Sequence, residues 1–229
     1  MKNNIIYTKD FVNYSTEYII DFFKKTKNLK KGNINIALSG GSTPIPILIN
    51  LKKKGLDWSR CNFFIVDERC VSLIDSESNY GNINNSFFRH IDANNIFSFF
   101  KEGLDYPEMI NRYANEIISN VSEKKNEIPV FDLILLGMGI DGHTASLFPN
   151  TNALNNRDEI VVLNFIKKIN KNRLTFTYPL ILNAKKIIVF IKGKDKIEIM
   201  NKIVNSKIKE YPMTLISEKH NDITWIVKS

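Results

Sequence analysis

The residues best suited to chemistry stand together in Gly137-Met138-Gly139-Ile140-Asp141-Gly142-His143-Thr144-Ala145-Ser146-Leu147-Phe148-Pro149. A histidine ordinarily titrates near neutrality, so His143, just beyond a flexible glycine turn, suits a general base. Asp141 stands two residues earlier and, like Asp67, could steady the imidazolium that forms. The segment also holds a literal G-x-G-x-x-G, which invites a dinucleotide reading. Two features argue against that reading. Asp141 would lie where a pyrophosphate must approach the backbone. The next apolar strand, Ile160–Phe165, ends without an acidic residue to grip a ribose.

Three other groups suit an anion. In Ser39-Gly40-Gly41-Ser42-Thr43-Pro44, Gly40 and Gly41 let backbone N–H groups approach a ligand closely, and Ser42 and Thr43 add hydroxyls ahead of a helix. The same residues also suit a plain strand-to-helix turn with a capping Ser or Thr. Asp67-Glu68-Arg69 closes an apolar strand, where three charges are expected outside the core, either in a solvated loop or at a site. Arg69 offers a planar fork of donors for phosphate, and Asp67 an acceptor for a sugar hydroxyl or a proton. Arg173 and Lys196 are basic positions beside strand-like segments. Neither a G-x-S-x-G nucleophile turn nor a zinc-spaced ligand set occurs, which leaves a water-based mechanism without metal or cofactor as the expectation. His90 and His220 stand in polar surroundings and are expected at the surface.

These groups need a scaffold that brings them to one place. Apolar residues at helical spacing from Phe11 to Phe23 mark a first helix, Pro44 opens a second to about Lys54, and another falls near Tyr106–Ser122. Apolar runs predict strands at Asn33–Leu38, Asn62–Val66, Ile96–Phe100, Phe131–Leu136, Ile160–Phe165, Leu174–Thr177, Ile187–Ile191 and Ile223–Val227. Unbroken apolar strands alternating with helices predict a doubly wound α/β fold, a mostly parallel sheet covered on both faces. Ligands of such sheets bind at the carboxyl ends of the strands, and each motif above follows a strand.

Composition narrows the class further. The chain has 229 residues, 43% hydrophobic and 24% charged, with no repeat and no Pro/Gly/Ser-rich linker, so one domain spanning 1–229 is expected. Two cysteines, Cys61 and Cys70, are too few for a disulfide framework and fit a reducing, cytoplasmic setting. The polar start lacks the apolar core of a secretion signal, and no stretch nears the roughly 20 apolar residues of a membrane span. The net charge of +8 is spread thinly, with short lysine runs at 52–54, 167–168 and 185–186, so neither nucleic acid nor membrane is expected as a partner.

Taken in order, SGGSTP at 39–44, VDER at 66–69, SNYGN at 78–82, GMGIDGHTASLFP at 137–149, RLTFTYPLILNA at 173–184 and G-x-x-K at 193–196 resemble the 6-phosphogluconolactonase family, within the group that includes glucosamine-6-phosphate deaminases. The continuation Thr144–Pro149 resembles the lactonase version. The resemblance implies a Rossmann-like fold and hydrolysis of 6-phospho-D-glucono-1,5-lactone in the oxidative pentose phosphate pathway. It implies His143 as the base that activates water, with Asp141 or Asp67 in support. Phosphate would be held by Gly40, Gly41, Ser42, Thr43, Arg69, Arg173 and Lys196. Functional coupling to glucose-6-phosphate dehydrogenase is also implied, since family members are sometimes fused to it. The chain departs from the family at its end, where Trp225-Ile226-Val227 runs into Lys228-Ser229 in place of the aspartate and alanine often found there. Two rival readings are a deaminase on the same fold and a sugar-phosphate sensor without turnover.

Overall fold

The computed structural model describes residues 3–206 and 208–229. The apolar runs Ile34–Leu38 (β2), Cys61–Ile65 (β3), Leu133–Gly137 (β8) and Lys186–Ile191 (β11) form strands buried almost throughout. Side chains alternate across a strand, so a run without a polar face needs cover on both sides. Seven parallel strands form the main sheet, in the order β1 (Asn3–Thr8), β12 (Ile223–Lys228), β11, β8, β2, β3, β5 (Asn95–Ile96).

The alternation sorts two cores. Ile34, Ile36, Leu38, Leu133 and Leu135 face one side, against α1 (Phe11–Leu29) and α2 (Ile45–Lys52). Ala37, Ile134, Leu136, Ile187 and Val189 face the other, with residues of α4 (Tyr106–Asn120) and α7 (Pro212–Lys219). The remaining helices are α3 (Asn79–Ser86), α5 (Tyr178–Leu182) and α6 (Lys194–Asn201). This is the doubly wound α/β arrangement. From β2 the chain winds outward through β3 to β5, then returns to β8 on the other flank of β2. The order thus reverses between β2 and β8, which opens a crevice at their carboxyl ends. Among the described residues no helix is long and apolar enough to cross a membrane.

Several elements differ from the sequence reading. Ile160–Phe165 and Leu174–Thr177 do not extend the parallel sheet. They correspond to β9 (Val161–Ile166) and β10 (Lys171–Phe176), which pair antiparallel in a separate sheet of order β4-β10-β9, where β4 is Asp67–Arg69. Apolar periodicity reports burial and says nothing of the partner strand. The strand expected at Ile96–Phe100 is reduced to Asn95–Ile96, because only two register pairs join it to β3. The polar start supplies an edge strand, β1, whose half-exposed pattern gave no apolar signal. A short hairpin of β6 (Lys124–Lys125) and β7 (Ile128–Pro129) turns through Asn126 and Glu127, both at positive φ. His220 is buried, not on the surface: its Nε2 meets the Ala184 carbonyl at 2.7 Å, and its Nδ1 accepts from the Asp222 N–H at 3.1 Å. Burial lowers its pKa, so it stays neutral to more acidic pH than a free histidine.

At the amino ends of the central strands one carboxylate joins three segments. Asp132 is buried and accepts from the Asn35 N–H at 2.9 Å and from Lys30 Nζ at 2.5 Å, with Lys185 Nζ at 3.1 Å. Removing it leaves a buried backbone donor without an acceptor. Asp132→Ala should therefore lower the unfolding free energy by about 2 kcal/mol, read as a lower urea midpoint at an unchanged m-value. An unchanged midpoint would show that water replaces the carboxylate freely.

Candidate active site

The strand that carries VDER crosses from one sheet to the other. Val66 donates its N–H to Leu38 O in the main sheet at 3.0 Å, and its carbonyl accepts from Phe176 N at 2.9 Å on the small sheet's side. The next three residues, β4, pair with β10 in a register that sets Asp67 opposite Thr175 and Arg69 opposite Arg173. Asp67 and Arg69, two residues apart, share one face of this sheet with their cross-strand partners. Glu68 turns to the other face.

That division corrects the expectation that none of the three charges is core: Glu68 is completely buried and Asp67 nearly so. Glu68 is tolerated because its oxygens accept from the N–H groups of Arg69, Asn79 and Tyr80, each at 2.7 Å, and from Ser78 Oγ at 3.2 Å. Burial raises its pKa above the usual carboxylate range, against the pull of these backbone donors. Its work is to tie β4 to the start of α3.

The face of β4 and β10 that carries Asp67, Arg69 and Arg173 borders a cavity of about 400 Å³ at the switch point between β2 and β8. All the residues named from sequence line it except Asp141, which stands behind His143. The Ser39–Pro44 turn leaves β2 and enters α2, with Gly41 at φ +101°. The backbone N–H groups of Gly41, Ser42 and Thr43 have no acceptor among the described residues, so the turn presents donors to the cavity. Arg173 is 9% exposed. Its pKa falls below the ordinary arginine value through burial first and then through the charge of Arg69. Arg69 is held through a hydrogen bond to the Glu77 carbonyl. Lys196, in the first turn of α6, is half-buried, and burial lowers its pKa as well. Three cations and a row of N–H groups around one cavity suit a multiply charged anion such as a phosphate ester.

The turn after β8 brings His143 to the same cavity. After β8 the chain turns tightly, with Gly142 N donating to Gly139 O at 3.1 Å and Gly139 N to His143 O at 2.9 Å. Gly142 takes φ +70°, where a side chain would also strike Tyr211. His143 Nδ1 meets Asp141 Oδ1 at 2.5 Å, and the imidazole stacks on Phe148 with centroids 3.9 Å apart and planes 18° apart. Burial opposes ionisation of Asp141, but the hydrogen bond and charge of His143 outweigh it and hold the carboxyl below its ordinary range. An ionised Asp141 accepts the Nδ1 proton, which leaves the Nε2 lone pair free. Nε2 has no partner among the described residues.

Three residues had no role from sequence and acquire one from the fold. Ser146 Oγ donates to Asp67 Oδ2 at 2.7 Å, which pairs Asp67 with Ser146 and leaves Asp141 as the carboxylate on His143. Phe148 sets the plane of the imidazole. Asn79 donates to the Asp67 carbonyl at 2.7 Å. Ser146 and Phe148 lie within the central motif, and Asn79 within SNYGN, but only the folded chain shows what they touch.

Gly139 explains one glycine of the G-x-G-x-x-G pattern. A Cβ there would fall 2.2 Å from His143 Cε1 and Nδ1 and 2.8 Å from Asp141 Oδ1. Gly139→Ala is expected to drive the ring off Asp141, so a downfield proton NMR signal from the shared Nδ1 proton should vanish while the far-ultraviolet circular dichroism is unchanged. Survival of that signal would mean that the turn gives way and the pair does not.

Comparison with known proteins agrees with this architecture. The family profile described as glucosamine-6-phosphate isomerases/6-phosphogluconolactonase matches residues 8–225. A 6-phosphogluconolactonase of Chlamydia pneumoniae is 33% identical over 206 residues, covering 86% of this chain and 76% of that one. A human protein named GDH/6PGL endoplasmic bifunctional protein is 33% identical over 205 residues, 85% of this chain and 25% of its own length. The crystal structure of 6-phosphogluconolactonase from Thermotoga maritima superposes with a TM-score of 0.85 at 27% identity, covering 99% of this chain and 100% of that one. The chain belongs to the glucosamine-6-phosphate isomerase/6-phosphogluconolactonase family.

Proposed function

We propose that this chain hydrolyses 6-phospho-D-glucono-1,5-lactone to 6-phosphogluconate. The observation that carries the reading is one cavity lined both by an imidazole paired with a carboxylate and by three cations. The relatives named as 6-phosphogluconolactonases support the choice of substrate.

The phosphate docks against the Gly40–Thr43 turn, Arg69, Arg173 and Lys196, which places the lactone carbonyl toward His143. Nε2 of His143 takes a proton from water as its oxygen adds to the carbonyl carbon. Asp141 holds the imidazolium that forms. When the intermediate collapses, the bond from the carbonyl carbon to the ring oxygen breaks, and the proton returns from His143 to that oxygen as it leaves. Asp67, held by Ser146, serves as an acceptor for a substrate hydroxyl. The ring stack on Phe148 and the Asp141 bond keep Nε2 aimed through these steps.

The human relative, matched over a quarter of its length and named for two activities, supports functional coupling to the dehydrogenase that makes the lactone. Two free cysteines fit a cytoplasmic setting.

The test is hydrolysis of freshly generated lactone, followed through NADP reduction by a coupled dehydrogenase and corrected for spontaneous opening. His143→Ala should lower kcat by about 10²–10⁴-fold with little change in KM. Arg173→Ala should raise KM by about tenfold or more, since it removes a charge-assisted bond to phosphate. Wild-type turnover no faster than the spontaneous reaction would overturn the reading. Ammonia release from glucosamine 6-phosphate would then identify a deaminase, and lactone binding without turnover a sensor.

A further inference from the structure

The cavity wall is rich in donors, and the few acceptors in it stand out. Asp67 spends one carboxylate oxygen on Ser146 Oγ, and its other oxygen has no hydrogen bond among the described residues. Asn79, the first residue of α3, lines the same cavity and is 3% exposed. Its Nδ2 donates to the Asp67 main-chain oxygen at 2.7 Å, and its own N–H is held by Glu68 at 2.7 Å. A carbonyl oxygen can only accept, so the Asp67 carbonyl fixes which end of the amide is NH2. Oδ1 is therefore the end turned toward Gly40 and the cavity.

Two facts mark that oxygen as more than a packing atom. It takes no hydrogen bond from the protein among the described residues and is not sealed from solvent, so it stays open to a donor that enters the cavity. Gly40, in the phosphate-side turn, leaves room for it: a Cβ at Gly40 would stand 2.0 Å from Oδ1. The Glu68 clamp, the Asp67 carbonyl and the bare face of Gly40 together hold an unspent acceptor between the anion-binding turn and Asp67. A phosphate dianion would be repelled there, whereas a hydroxyl would satisfy it.

We propose that Asn79 determines specificity by accepting, through Oδ1, a hydrogen bond from a ring hydroxyl of the sugar lactone beside the hydroxyl taken by Asp67. This rests on the lactonase reading above. The donor wall then binds the phosphate, and the acceptor pair reads the configuration of the ring. A lactone that lacks the hydroxyl read by Asn79 leaves Oδ1 buried and unpaired in the transition state, a loss that falls on kcat/KM.

The experiment compares kcat/KM for 6-phosphogluconolactone with its 2-, 3- and 4-deoxy analogues, in wild type, Asn79→Ala and Asn79→Ser. Each ratio of parent to analogue is taken on one preparation, so the fraction of folded enzyme cancels. In the wild type, one deoxy position is expected to lower kcat/KM by about tenfold or more. In Asn79→Ala and Asn79→Ser that penalty should shrink to within about threefold, with the penalties at the other positions kept. Equal penalties in all three proteins would overturn the proposal and leave Asn79 as a support for Asp67. Failure of the wild type to turn over the parent lactone would instead defeat the lactonase reading.

Discussion

The site depends on how one residue divides its backbone hydrogen bonds. Val66 gives its N–H to the parallel sheet and its carbonyl to the antiparallel one. A strand that stayed in the main sheet would have carried Asp67 and Arg69 past its end into solvent. Shared between two sheets, it lays them along the wall of the switch-point crevice, opposite Thr175 and Arg173. The small sheet is thus the device that brings basic and acidic side chains back over the glycine turns after β2 and β8. Its position explains why residues far apart in sequence, from Gly40 to Lys196, line one cavity.

Once that geometry is set, electrostatics dictates what the cavity accepts. Two arginines directly opposite each other on paired strands repel, and partial burial weakens the screening that would relieve them. Asp67 and Glu77 partly offset that repulsion, and an anion spanning both forks would relieve it further. Glu68, one residue from each of its charged neighbours, offers no side chain to the cavity, because it faces away and is tied to the start of α3. Alternation along three residues separates a structural carboxylate from the two side chains that line the cavity.

Much of this was legible in the sequence, and the failures have definite causes. Glycine turns after apolar strands reveal themselves because few other residues tolerate close approach of a backbone, so the Ser39–Pro44 and Gly137–His143 segments could be found without coordinates. The apolar runs revealed the strands for the same reason that they are buried. The partner of a strand has no such signal: β9 is as apolar as β11, yet it pairs antiparallel with β10 in another sheet. Burial of Glu68 and of His220 was equally hidden, since each is made tolerable by backbone groups that only the fold brings near. Asn79, Ser146 and Phe148 belong to the same class, because what matters in each is a contact and not a residue type.

The central motif shows why spacing alone cannot assign chemistry. A dinucleotide fold and this one both place glycines after a buried strand, and both do so because something must come close to the main chain. In the dinucleotide case it is a pyrophosphate, approaching a helix N-terminus from outside. Here it is the chain's own imidazole, folded back over Gly139, with its carboxylate partner 2.8 Å from where a Cβ would stand. Gly142 answers a second demand, a left-handed turn packed on Tyr211. The glycine pattern records a steric requirement. What sets this pattern apart is an aspartate between the glycines and a histidine just after the last of them, paired with each other inside the turn.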